Sequence, residues 1–178
     1  MTLETYDNVL EYFKIDFYSE NFANFETFDD AYARLIARVD SAGGKNKGTL
    51  AALQTSGMKE GMRTLIEPHI EYEKAKKLED TEEALSEYED IYDTVGELPK
   101  GKGTLKLRQK SGRGIFESEK KINAKNRFLS YSKEDILGLS KRRTDTIADF
   151  FYLSESEVEA KLDEVGIEYD SGGKLVKK

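Results

Sequence analysis

The stretch Thr81–Val95 constrains the fold most. Ala84, Leu85, Tyr88, Ile91, Tyr92 and Val95 recur at helical spacing and share one face. The opposite face carries Glu82, Glu83, Glu87, Glu89, Asp90 and Asp93. A helix with one apolar stripe has to bury that stripe against other elements. The same period returns in Leu3, Tyr6, Leu10 and Phe13 over Thr2–Lys14, and in Tyr32, Leu35, Ile36 and Val39. Thr27-Phe28-Asp29-Asp30 resembles a capped start for the latter helix. Between them, Ile15–Phe25 is aromatic and irregular and reads as a packed loop. Met62, Leu65 and Ile66 continue the helical pattern, with breaks read near Gly57 and Gly61. Pro68 is placed in the first turn of a new helix, where its missing amide has no partner to lose. The expectation is a mainly α protein.

At 178 residues the chain holds one sizeable domain or two small ones. Charged residues make up 35%, but ten Tyr and nine Phe supply enough apolar bulk for a core. With no Cys there is neither a disulfide nor thiolate chemistry. A single His, His69, excludes multi-histidine metal sites, and its place beside Pro68 reads as a partly exposed helix start. No apolar run reaches membrane-spanning length, and the acidic N-terminus is unlike a signal peptide, so a cytoplasmic location (host cytoplasm or virion if viral) is expected. SAGGKNKG at Ser41–Gly48 invites comparison with a phosphate-binding loop. Thr49 stands where the lysine should, and the preceding segment reads as helix, not strand. Carboxylates are abundant without metal-binding or glycosidase spacing. No catalytic residue, cofactor or metal is assigned, and the chain is not read as an enzyme.

Charge is strongly segregated. Residues 1–98 carry 22 acidic and 10 basic side chains, residues 99–143 carry 4 and 14, and residues 144–178 carry 9 and 4. GELPKGKG at Gly96–Gly103 reads as a boundary, after which the sign changes. Leu105 and Leu107 alternate with Lys106 and Arg108, a strand signal. Ser111-Gly112-Arg113-Gly114 reads as a turn and Ile115-Phe116 as the returning strand, which together predict a basic β-hairpin or arm. Candidate phosphate-binding residues are Lys100, Lys102, Lys106, Arg108, Lys110, Arg113, Lys120, Lys121, Lys125, Arg127, Lys141, Arg142 and Arg143. Cations that neutralise phosphates release counterions, so they give affinity without sequence choice. Phe116 and Phe128 are candidates for stacking on bases. The same basic arm also suits an acidic protein surface, including the acidic half of another copy.

Near the C-terminus, Ile147-Ala148 pairs an apolar residue with a small one, and Phe151 and Leu153 flank a turn. Ser154-Glu155-Ser156-Glu157 is a capping box, and Val158, Leu162 and Val165 recur at helical spacing before Gly166. Thr144–Ile167 therefore resembles a helix-turn-helix. Tyr152 stands where such motifs usually carry glycine, a departure at the tight turn. The resemblance implies that the second helix faces a major groove, yet Glu155, Ser156, Glu159 and Asp163 would be repelled by phosphates. Ile167–Tyr169 and Lys174–Val176 read as two short strands around a turn, a wing-like addition. VEAKLDEVGIEYDSGGK also resembles the helix-extended-loop-helix modules of some phage proteins. Ser132-Lys133-Glu134-Asp135 opens a first helix, and the expected core is Ile136, Leu139, Ile147, Phe150, Phe151, Leu153, Val158 and Leu162.

The expected architecture has three parts: residues 1–96 as an acidic helical association domain, 97–131 as the basic hairpin or arm, and 132–178 as the helix-turn-helix-like, winged unit. The expected function is non-enzymatic binding of nucleic-acid backbone through the basic arm, with self-association through the helical part. The alternative is a phage or viral structural protein, such as a head-tail connector-like virion component, whose basic arm and acidic helices join subunits. An acidic mimic of DNA is a third class, but it leaves the basic segment unexplained.

Overall fold

The computed structural model describes residues 24–41, 48, 51, 53–98, 100–139 and 143–178, without the side chains of Val39 and Lys102. The helix expected at Thr2–Lys14, most of the SAGGKNKG stretch, and Lys141 and Arg142 lie outside the described residues. Among the described residues the chain is mainly α, with seven helices and one two-stranded sheet. None of these helices is long and apolar enough to cross a membrane. The chain divides into two units, Met1–Ile115 and Phe116–Lys178.

The first unit begins its described part with α1 (Phe28–Ser41). Thr27 caps it: its Oγ1 accepts from the Asp30 amide at 3.1 Å and donates to the Asp30 carboxylate at 2.7 Å. Helix α2 (Ser56–Ala75) starts at Thr55, whose side chain accepts from the Met58 amide. Phe28, Tyr32 and Leu35 of α1 pack with Met62, Ile66 and Ile70 of α2. Arg63 fastens the rim of that contact, lying 4.6 Å over the Phe28 ring and 3.3 Å from Asp29. Helix α2 runs through Gly57, Gly61 and Pro68 as one element, which corrects the expected breaks and the new helix at Pro68. Pro68 forfeits a backbone hydrogen bond, but burial along one face holds the helix together, and isolated propensity does not decide it.

Helix α3 (Thr81–Glu97) opens on Asp80, whose carboxylate accepts from the Glu82 and Glu83 amides, both at 2.9 Å. Its Ala84, Tyr88, Ile91 and Val95 are buried, and its six predicted outward carboxylates are exposed. Helix α4 (Lys102–Leu129) follows as one element of 28 residues. This overturns the predicted β-hairpin: Thr104–Gln109, Ser111–Gly114 and Ile115-Phe116 are all helical. The alternation of Leu105 and Leu107 misled, because Leu107 is buried while Leu105 is 49% exposed. The inward stripe is Thr104, Leu107, Ser111 and Ser118, mostly small polar residues that an apolar period does not register. Ser111 satisfies itself by donating to the Leu107 carbonyl at 3.0 Å. The glycines of the supposed tip serve close approach. A Cβ at Gly114 would lie 2.7 Å from the Tyr88 ring, and one at Gly112 would lie 3.4 Å from Tyr92.

The second unit takes the rest of α4, then α5 (Lys133–Gly138), α6 (Thr144–Phe151), α7 (Glu155–Glu164) and the strands β1 (Ile167–Tyr169) and β2 (Leu175–Lys177). Capping boxes open α5 at Ser132/Asp135 and α7 at Ser154/Glu157. Phe128, Ile136, Ile147, Phe151, Val158, Leu162, Ile167 and Leu175 form the core, and Leu139 packs against it partly buried. Two expectations are corrected here. Phe150, placed in the core by its spacing, is 59% exposed, because α6 turns Ile147, Ala148 and Phe151 inward instead. Phe128 is fully buried and stacks at 5.0 Å on Phe151, so it is withdrawn from any base. The strands pair antiparallel, with Glu168 opposite Val176. Their turn is closed by the Asp170 carboxylate, which accepts from the Gly172 and Lys174 amides.

Candidate nucleic-acid interface

Helix geometry sorts the predicted cations. Lys106, Arg113, Lys120 and Arg127 follow one another at seven-residue intervals on α4, and all four are exposed. Seven residues make nearly two turns, so within each unit the cations form a stripe, Lys106 with Arg113 and Lys120 with Arg127, the second of each pair drifting about 20° and rising about 10 Å. Lys106, Arg113 and Lys120 stand two residues after the buried Thr104, Ser111 and Ser118, about 200° around the helix, and therefore opposite those residues. Lys110 flanks the stripe and is exposed, as is Lys100 just before the helix. Phe116, 64% exposed, lies beside it on α4, whereas Glu117 interrupts it and approaches Lys120 at 3.9 Å. Lys106 and Arg113 belong to the first unit, and Lys120 and Arg127 to the second.

Several of the predicted cations also make contacts within the fold. Arg108 lies 4.5 Å over the Tyr92 ring and against Gly96, with its Nε buried and lacking a hydrogen bond. Lys110 reaches over the Tyr72 ring at 5.5 Å. Its charge adds to burial, the larger cause, in pushing the His69 imidazole down to about 4. His69 is thus mid-helix and neutral near pH 7, which corrects the expected helix-start position. Lys125 holds Glu157 at 2.7 Å. That contact, followed by the Ser154 amide and hydroxyl, lowers the Glu157 carboxyl to about 2. Lys121 stands 5.8 Å over Tyr152, Arg127 stands 6.0 Å over Tyr131, and Arg143 pairs with Asp145 at 3.3 Å. Arg143 also lines a shallow groove with Thr144, Asp145, Glu155, Tyr169 and Gly173, where carboxylates offset its charge.

The outward face of α7 is the poorer candidate. Glu155, Ser156, Glu159 and Asp163 are exposed. Lys161, the one cation of α7, is 8% exposed and turned to Glu164 at 3.1 Å. The heptad of cations on α4 was present in the sequence, but reading the segment as a hairpin hid it. The exposure of Phe150 and Tyr152 had no sequence signal beyond their type. Among the described residues, no group of three or more His, Asp or Glu is placed to hold a metal ion. No known protein family, curated protein or solved structure matches this chain.

Proposed function

We propose that this is a non-enzymatic nucleic-acid-associated protein whose α4 grips phosphate backbone. The observation that carries the reading is the exposed heptad of Lys106, Arg113, Lys120 and Arg127. Cations repeated along a helix face neutralise phosphates and release counterions without reading sequence. The helix-turn-helix-like arrangement of α6 and α7 then serves packing, because the acidic outward face of α7 disfavours phosphate contact. The test is duplex DNA binding of the full chain by fluorescence anisotropy across a salt series. In K106A/R113A/K120A/R127A the slope of log affinity against log salt should flatten by about 4. Alanine suits an exposed helix, so circular dichroism should be preserved. Binding by the variant equal to that of the parent would overturn the proposal.

A second reading, a virion or assembly component, draws on α3. Glu83, Asp90 and Glu97 are exposed at the same seven-residue interval. A second copy presenting that stripe would be opposite in charge to the cations of α4 and share their seven-residue spacing. Light scattering after size exclusion separates the two readings. Salt-dissociable oligomers without DNA affinity would favour assembly.

A further inference from the structure

Tyr152 is placed where the fold gains little from a tyrosine. Its φ of 57° and ψ of 44° make it the one non-glycine residue with positive φ among the described residues. The turn needs this conformation: the amides of Tyr152 and Leu153 both close on the Ala148 carbonyl, ending α6 before Ser154 caps α7. Glycine or asparagine meets that need with less strain. Burial compensates only in part. Phe151 and Leu153 on either side are 2% and 9% exposed, but Tyr152 is 44% exposed. Its ring instead faces the Lys121 ammonium at 5.8 Å, and Lys121 is exposed and adjacent in sequence to Lys120 of the cationic stripe. Two residues earlier Phe150 stands 59% exposed, edge-on to Phe151 at 4.8 Å.

We infer that Tyr152, with Lys121 beside it, is a stacking platform for an unpaired nucleobase, resting on the nucleic-acid reading above. Exposed aromatic rings beside cations hold single strands because every base has a π face and a phosphate close by. The exposed carboxylates of Asp149 and Glu155 flank Tyr152 in sequence and disfavour a duplex laid across it. A base turned out of a strand, its phosphate held by Lys121, reaches the ring without that conflict. The inference thus names unpaired strands as a substrate class that α4 alone does not select.

The test compares Y152G and Y152N with the parent chain, using an oligothymidine single strand and a duplex of equal length. Neither variant should lower the melting temperature, because both relieve the left-handed strain. Single-strand affinity should fall about tenfold or more, while duplex affinity stays within about twofold. Unchanged single-strand affinity in both variants overturns the inference. If the four-cation variant meanwhile loses duplex binding, the proposed function survives without it. A parent chain that binds neither strand form ends both. Loss of self-association in Y152G, with single-strand affinity intact, would assign the ring to a protein contact and likewise overturn it.

Discussion

A Cβ at Gly114 would meet the Cγ and Cδ atoms of Tyr88, which is only 8% exposed. Alanine normally stabilises an exposed helix position by about 1 kcal/mol over glycine. At Gly114 overpacking opposes that gain at about 1–3 kcal/mol, so G114A is expected to destabilise. Gly57 in α2 has nothing within 4 Å of its would-be Cβ, and G57A should stabilise. Urea denaturation of the two variants checks the opposite signs. His69 supplies a pH signature. Its folded pKa is about 4, against about 6.5 unfolded. Between these values the unfolded chain binds the proton and the folded chain does not. Stability therefore rises with pH through that window, is full above about 6.5, and falls by about 3 kcal/mol as pH drops to about 4. H69L should remove that component, and denaturation at a series of pH values measures it.

At the scale of the element, legibility depended on what the buried face is made of. Helices α1, α3 and α7 announce themselves by apolar periods, and α1 and α7 also by caps at Thr27 and Ser154. Helix α4 does not, because Thr104, Ser111 and Ser118 occupy its inward stripe and Gly112 and Gly114 its contacts with α3 tyrosines. Those residue types signal turns when read locally. The start of α7 is locked twice, by its own capping box and by Lys125 reaching from α4 to Glu157. K125A should let the Glu157 carboxyl rise from about 2 toward its ordinary range, measurable by NMR titration. Glu157 stabilises the fold above its unfolded pKa, and its contribution is lost as pH falls through about 2. The same K125A should leave the salt slope of DNA binding nearly unchanged, because Lys125 sits off the exposed stripe. S154A should cost about 1 kcal/mol through the lost cap.

At the scale of the molecule, the formal net charge of −7 conceals a basic stretch between two acidic ones. On the proposed function, phosphate drawn to α4 would be opposed by the exposed carboxylates of α3. Replacing Glu83, Asp90 and Glu97 by their amides should raise duplex affinity several-fold at low salt, an effect that fades as salt screens it. Anisotropy at two ionic strengths checks this. The sequence by itself determined the mainly α class, the caps, the short C-terminal strand pair and the charge map. These follow from local periodicity, cap chemistry and composition, which need no knowledge of distant residues. Tertiary structure alone decided that the basic segment is helix and not hairpin, that Pro68 and His69 lie within α2, and that Phe128 is buried while Phe150 is exposed. Each of these depends on which surface a neighbouring element covers. Burial against Tyr88 and Tyr92 turns glycines that read as a turn into part of a helix, and the same helix leaves Lys106 and Arg113 exposed.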